Sequence, residues 1–170
     1  MNQAQTVWWQ QALSDLSIYI MMRQQGVATC HVLHYLQMTT EKVAKAYYWR
    51  EGKSPPKSHA GFVQFVRFLG QIRQSSQQNR VAQLFGFQRY SDFQKCLGSF
   101  IHIAYDLERL APDLALDGPN PEYPWPHDQP QQAPALYQFP IWDKLSRGQG
   151  RQLMRFLETA VKQFPAYAET

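Results

Sequence analysis

Residues 30–59, CHVLHYLQMTTEKVAKAYYWREGKSPPKSH, hold the densest group of side chains able to do chemistry in this chain. Glu41, Lys42 and Lys45 set one carboxylate against two amines within about a turn, an arrangement that can hold a ligand. The same three residues also suit a solvated helix face, with local ion pairs worth about 0.3 kcal/mol, and that is the reading the sequence favours. His59 follows a pair of prolines and has either a proton-transfer role or the plainer one of a hydrogen-bonding group at a helix start. His31 and His34 stand three apart, but no acidic residue completes a metal set, so packing or surface roles are expected and no metal. His102 and Asp106, at i and i+4, are expected to meet as an ordinary helix-face contact. In NPEYPWPH, residues 120–127, prolines frame Tyr123 and Trp125. Such rings can stack on a base, accept a peptide or serve as the lid of a core, and the lid is favoured. Cys30 and Cys96 read as reduced thiols in apolar helical settings. There is no Gly-rich phosphate loop, nucleophile elbow or metalloprotease motif, and no cofactor is expected.

Helices must position these groups. Trp9, Leu13, Leu16 and Ile20 form a stripe that predicts a helix over 5–23, ended by Gly26. Leu33, Leu36, Val43, Ala44 and Tyr47 share one face of a second helix over 28–50, with the Glu41–Lys45 charges on the opposite side. The short connection requires the two to pack antiparallel. Gly52 and Pro55–Pro56 stop this helix, and Ser58 is the expected cap of a third, reaching residue 73 with Phe62, Phe65, Val66 and Leu69 inward. The polar run QSSQQN, expected to break the pattern and to be nicked by protease near Ser76, precedes a short helix over 80–85. A fourth long helix opens at Ser91–Asp92, with Phe93, Leu97, Phe100, Ile101, Ala104 and Leu107 repeating at helical spacing, and stops at Pro112. Residues 111–146 are rich in proline with interspersed aromatics, which predicts an ordered loop packed on the bundle, with Trp125 and Trp142 shielded. A last helix over 147–164 turns Leu153, Phe156, Leu157 and Val161 inward. No strand alternation and no internal repeat occur. The expectation is a single all-α domain, an up-and-down helical bundle of about five helices with a long proline-rich loop before the last.

Several of these motifs occur together in one family. The opening WWQQALSDL (Trp8, Trp9, Asp15, Leu16), the helix TEKVAKA (residues 40–46) and the following Gly52, Pro55, Pro56 and His59 resemble the HEPN domain, a small all-helical prokaryotic module; Tyr123–Pro124 resembles its Tyr-Pro pair. The resemblance is strongest over residues 8–70. It implies a HEPN-like bundle, RNA or a nucleotide as ligand, homodimerisation through the helices, and a partner protein such as a nucleotidyltransferase in a toxin–antitoxin or defence system. Many family members are ribonucleases in which an Arg precedes a His by four to six intervening residues, the His moving a proton and the Arg holding the phosphate. Here seven residues separate Arg23 from His31 and eight separate Arg50 from His59. The resemblance therefore implies a non-catalytic binding or assembly module. Its first alternative is a metal-free endoribonuclease with a displaced set, His59 or His102 with an Arg from another helix. The second is a protein-binding adaptor using the aromatic loop.

With 44% hydrophobic and 18% charged residues the chain is globular rather than disordered. A net charge of +4 is compatible with nucleic acid without pointing to it. The N-terminus lacks the basic start and apolar run of a signal peptide, and no segment approaches a membrane span, so a cytoplasmic location is expected.

Overall fold

The structure, a computed structural model, describes residues 1–55 and 57–169. It is all-helical: α1 (Gln3–Gln24), α2 (Thr29–Tyr48), α3 (Phe62–Gly70), α4 (Ser75–Leu84), α5 (Tyr90–Glu108), α6 (Pro112–Ala115), α7 (Pro140–Leu145), α8 (Gly148–Lys162) and α9 (Phe164–Tyr167). Short 3-10 turns follow at Trp49–Glu51 and Pro134–Leu136. Among the described residues the only extended pairing is an isolated bridge between Trp125 and Gln132.

α1 begins in a capping box, with the Asn2 side chain accepting from the Gln5 N–H and the Gln5 side chain returning to the Asn2 N–H. It ends where the N–H groups of Gly26 and Val27 turn back to the carbonyls of Arg23 and Met22. α2 then runs back along it. The buried face of α1 is turned slightly from the expected stripe: Ala12, Leu16 and Tyr19 are buried, while Trp9, Leu13 and Ile20 pack at the edges. The Trp9 indole accounts for the offset, since it reaches sideways to donate to the Val161 carbonyl at 2.8 Å. The Gln5 amide likewise donates to the Ala168 carbonyl at 3.4 Å, fastening the first helix to the last residues.

α2 is the central helix, in contact with α1, α3, α5 and α8. All five expected face residues, Leu33, Leu36, Val43, Ala44 and Tyr47, are buried. Burial continues round the helix to take in Gln37, Thr39, Thr40 and Glu41. Gly52, at φ +69°, adopts the left-handed conformation that ends the 3-10 turn after α2. The expected kink at Pro55–Pro56 falls partly on Pro56, which lies outside the described residues.

The third helix starts later than Ser58. α3 begins at Phe62, and its first N–H groups are satisfied from far away in the chain: the Glu108 Oε2 accepts from the Gly61 N–H at 2.9 Å and the Val63 N–H at 3.0 Å. A carboxylate at a helix N-terminus meets both unpaired donors and the positive end of the helix dipole, so Glu108 takes the role expected of Ser58. QSSQQN is not a break either. α4 starts inside it at Ser75, with Gln78 donating to the Ile72 carbonyl at 2.7 Å, and Val81 and Ala82 buried. Helix is thus built where exposed nicking was expected.

The aromatic side chains converge on Phe156 of α8. Its ring centroid lies 5.0 Å from Phe85, 5.3 Å from Phe100, 6.0 Å from Phe65 and 6.5 Å from Phe62, joining α3, the end of α4, α5 and α8. Within 111–146 the chain forms α6, the second 3-10 turn and α7, and Trp125, Phe139, Ile141 and Leu145 join the core. Trp142 is half-buried, with the Arg23 guanidinium 6.0 Å from its ring centroid.

The corner between α7 and α8 depends on Gly150. A Cβ built there would overlap the Lys144 carbonyl oxygen and lie 2.6 Å from Leu145 Cα, both backbone atoms that cannot rotate away. Gly150→Ala is expected to cost about 1–3 kcal/mol through this overlap, read from urea denaturation. A cost within about 0.5 kcal/mol, normal for a surface change, would show that the corner relaxes freely.

Candidate functional site: the Glu41–His59 cleft

The charged cluster of α2 is not a solvated face. Glu41 is only 3% exposed, because the elements packed around α2 leave little of its circumference to water. Its Oε1 accepts from Lys45 Nζ at 2.5 Å, one turn on, and its Oε2 lies 2.7 Å from His59 Nδ1. Lys42 Nζ is 3.8 Å from the same Oε2 and bonds the Met38 sulfur at 3.0 Å. Burial alone would raise the Glu41 carboxyl. The hydrogen bonds from Lys45 and His59 and the charges of Lys42 and Lys45 outweigh it and hold the group below its ordinary value. Glu41 is therefore a buried anion with its counter-charges in place.

Lys45 is completed by α1. Its ammonium lies 5.1 Å from the centroid of the Trp8 ring, a cation–π contact in a partly dehydrated place. Above this pair, residues 54–55 and 57–59 border a cleft of about 400 Å³ lined by Trp8, Lys45, Trp49, Lys57, Ser58 and His59, together with Ser54 and Pro55. Trp49 is held by its carbonyl, which accepts from Asn2 Nδ2 at 2.8 Å, while its indole N–H is buried without an acceptor among the described residues. Lys57 is exposed and makes no ion pair among the described residues.

His59 is oriented through Nδ1 by an ionised carboxylate, so Nδ1 carries the proton and donates. Its other nitrogen, Nε2, belongs to a side chain that is 41% exposed at the cleft. Such a ring can donate to an anion when charged or accept a proton when neutral.

Four of the expected site residues, Glu41, Lys42, Lys45 and His59, are therefore together. The others are elsewhere. Tyr123 is 59% exposed, its N–H held by the Asn120 side chain at 2.8 Å. Trp125 is buried, edge-on to Tyr137 at 5.1 Å, and leaves little ring surface for a base or a peptide. His102 is exposed, and the expected contact with Asp106 is replaced, since Asp106 accepts from Lys144 at 2.7 Å. His34 faces Glu122 from the proline-rich segment, Nδ1 to Oε1 3.4 Å, while His31 is exposed. No group of three potential metal ligands occurs among the described residues. Cys30 is buried, Cys96 is half-buried, and both are free thiols. No helix is long and apolar enough to cross a membrane among the described residues.

Sequence reasoning passed over Trp8, Trp49 and Lys57 as site residues. Trp8 carried a usable signal: in an antiparallel pair turning near Gly26, position 8 must lie across from position 45. Trp49 and Lys57 carried none, because the segment that brings them together has no periodicity to read.

Comparison with protein-family models, with curated proteins and with solved structures yields no match.

Proposed function

We propose that the protein is a non-catalytic, HEPN-like binding module whose ligand is RNA or a nucleotide, held in the Trp8–His59 cleft. The observation that carries this reading is the meeting of two indole rings with Lys45, Lys57 and His59 in one cleft. Aromatic faces take bases, and ammonium and imidazolium groups take phosphate. Lys45 is neutralised by Glu41, which among the described residues leaves Lys57 as the lysine of the cleft available to the ligand. Pairing of two copies, and service beside a nucleotidyltransferase or another component of a toxin–antitoxin or defence system, belong to the same proposal.

The test is titration of fluorescently labelled single-stranded RNA, with Lys57→Glu as the variant. Its exposed side chain makes the substitution harmless to folding. Binding should weaken roughly tenfold and the salt slope should fall by about one. Absence of binding at millimolar RNA or nucleotide, or equal binding by the variant, would defeat the reading.

One observation favours the metal-free endoribonuclease as the second reading: the buried carboxylate that orients His59 is the pairing a general base needs. The cleft supplies lysines where ribonucleases of this kind use arginine. On the binding-module reading, RNA stays intact in the presence of chelator. Cleavage that disappears in His59→Ala would exchange the two readings.

A further inference from the structure

A second and larger cleft, of about 530 Å³, lies between α5, α8 and the turn after α4. Its apolar wall is a set of phenylalanines. Phe85 stacks on Phe93 and on Phe156, each at a centroid distance of 5.0 Å, and Phe87 joins Phe93 at 5.5 Å. Phe85 and Phe87 are only half-buried, so part of this aromatic surface faces the cleft rather than the core. The volume falls within the range of small-molecule sites, and the phenylalanine wall is faced by a polar rim.

The charges around the rim are unequal. The Asp92 carboxylate is already taken up, at 2.8 Å by Arg89 and at 3.7 Å by Lys95. The Ser99 hydroxyl lies 2.7 Å from the Cys96 carbonyl oxygen and 2.9 Å from Gln152 Oε1, so its one hydrogen is shared between them across α5 and α8. Arg155 is exposed at the same rim and makes no ion pair among the described residues. The Arg155 guanidinium therefore stands beside a bed of aromatic rings with no carboxylate of its own among the described residues, while Arg89 and Lys95 share that of Asp92.

We infer that this cleft is a binding site for a small amphipathic monoanion, an aryl or arylalkyl carboxylate. Its ring lies on the phenylalanines and its carboxylate is held by the Arg155 fork. Planar guanidinium and carboxylate match in geometry, and aromatic rings prefer the edge and face contacts these phenylalanines offer. A polyphosphate gains nothing from an apolar wall, which sets this ligand class apart from that of the Trp8–His59 cleft. The two sites use different residues, and neither rests on the other.

Cys96 lines the cleft and supplies a reporter. Burial pushes its thiol up, so it reacts slowly, while Cys30 is 2% exposed and shielded. The experiment uses 4-phenylbutyrate and its uncharged amide with the full chain, reading binding by calorimetry and Cys96 alkylation by mass spectrometry. The carboxylate should bind saturably with Kd of about 1 mM or below, as suits a ligand of this size, and slow alkylation of Cys96 in step with occupancy. The amide should bind about fivefold or more weakly, and Arg155→Gln should bring the carboxylate down to the amide while leaving the amide unchanged. Each of three results would overturn the inference: no saturable binding at about ten times that concentration, binding that leaves the alkylation of Cys96 unaffected, or a carboxylate-to-amide ratio that Arg155→Gln does not change.

Discussion

Glu41→Ala is expected to remove about 3–5 kcal/mol of unfolding free energy, because it strips the counter-ion from a buried ammonium. Lys45, whose side chain is 13% exposed, would keep its charge beside the Trp8 ring with no carboxylate to accept its proton, and Lys42 would lose its nearest anion. Urea denaturation of the variant measures this cost. Most of the loss should return in the double variant Glu41→Leu/Lys45→Met, since replacing both members of a buried pair by apolar groups of similar volume is close to neutral. A single variant costing under about 0.5 kcal/mol, the size of a surface change, would mean that the pair is hydrated and the cleft open to bulk water. The pH dependence follows from the same geometry. Glu41 is held below its ordinary value in the folded protein, so its contribution is complete above the unfolded carboxyl value of ~4.3 and is lost as pH falls from there through the folded value. Glu41→Gln should flatten this acid limb while leaving stability above pH ~6 independent of pH at this position. An unchanged acid limb would assign the sensitivity to other carboxylates.

Phe156→Ala should cost about 3–5 kcal/mol, the loss of a large buried ring plus the cavity it leaves. Phe156 meets four rings from three other elements, so no single neighbour can fill the space without abandoning another contact. Phe156→Leu, which keeps most of the volume, should fall well short of that loss. Thermal and denaturant melts that rank leucine below alanine would show that ring geometry, rather than volume, holds these helices together.

The apolar faces of α2, α3, α5 and α8 were readable because each packs one side against a common core, and that produces the three-and-four spacing along the chain. The same rule misplaced Glu41. Periodicity assigns a charge to water, yet α2 is enclosed from several sides, and only a tertiary arrangement can show that Lys45 and His59 arrive to compensate a carboxylate taken inside. The start of α3 was misread for a related reason: Ser58 is a good cap by type, but the carboxylate that fills the role is Glu108, from a helix distant in the chain. α4 begins in a glutamine- and serine-rich run with no local cap, and it exists because Val81 and Ala82 are covered by neighbours. Of the candidate site, the residues on α2 and His59 were legible, while Trp49 and Lys57, which complete the cleft, were not.

The bonds from Trp9 to Val161 and from Gln5 to Ala168 also bear on how the chain emerges from a ribosome. The α1–α2 hairpin is made of near neighbours and can form as soon as it clears the exit tunnel. Tyr47 on its inner face, and Phe62 and Phe65 of α3, meet Phe156 and Tyr167 only after α8 and α9 have been made. Until α8 and α9 emerge these rings lack part of their cover, the kind of surface that chaperones hold and that aggregates when they are scarce. Truncation within α8 should accordingly give insoluble protein rather than a smaller folded one.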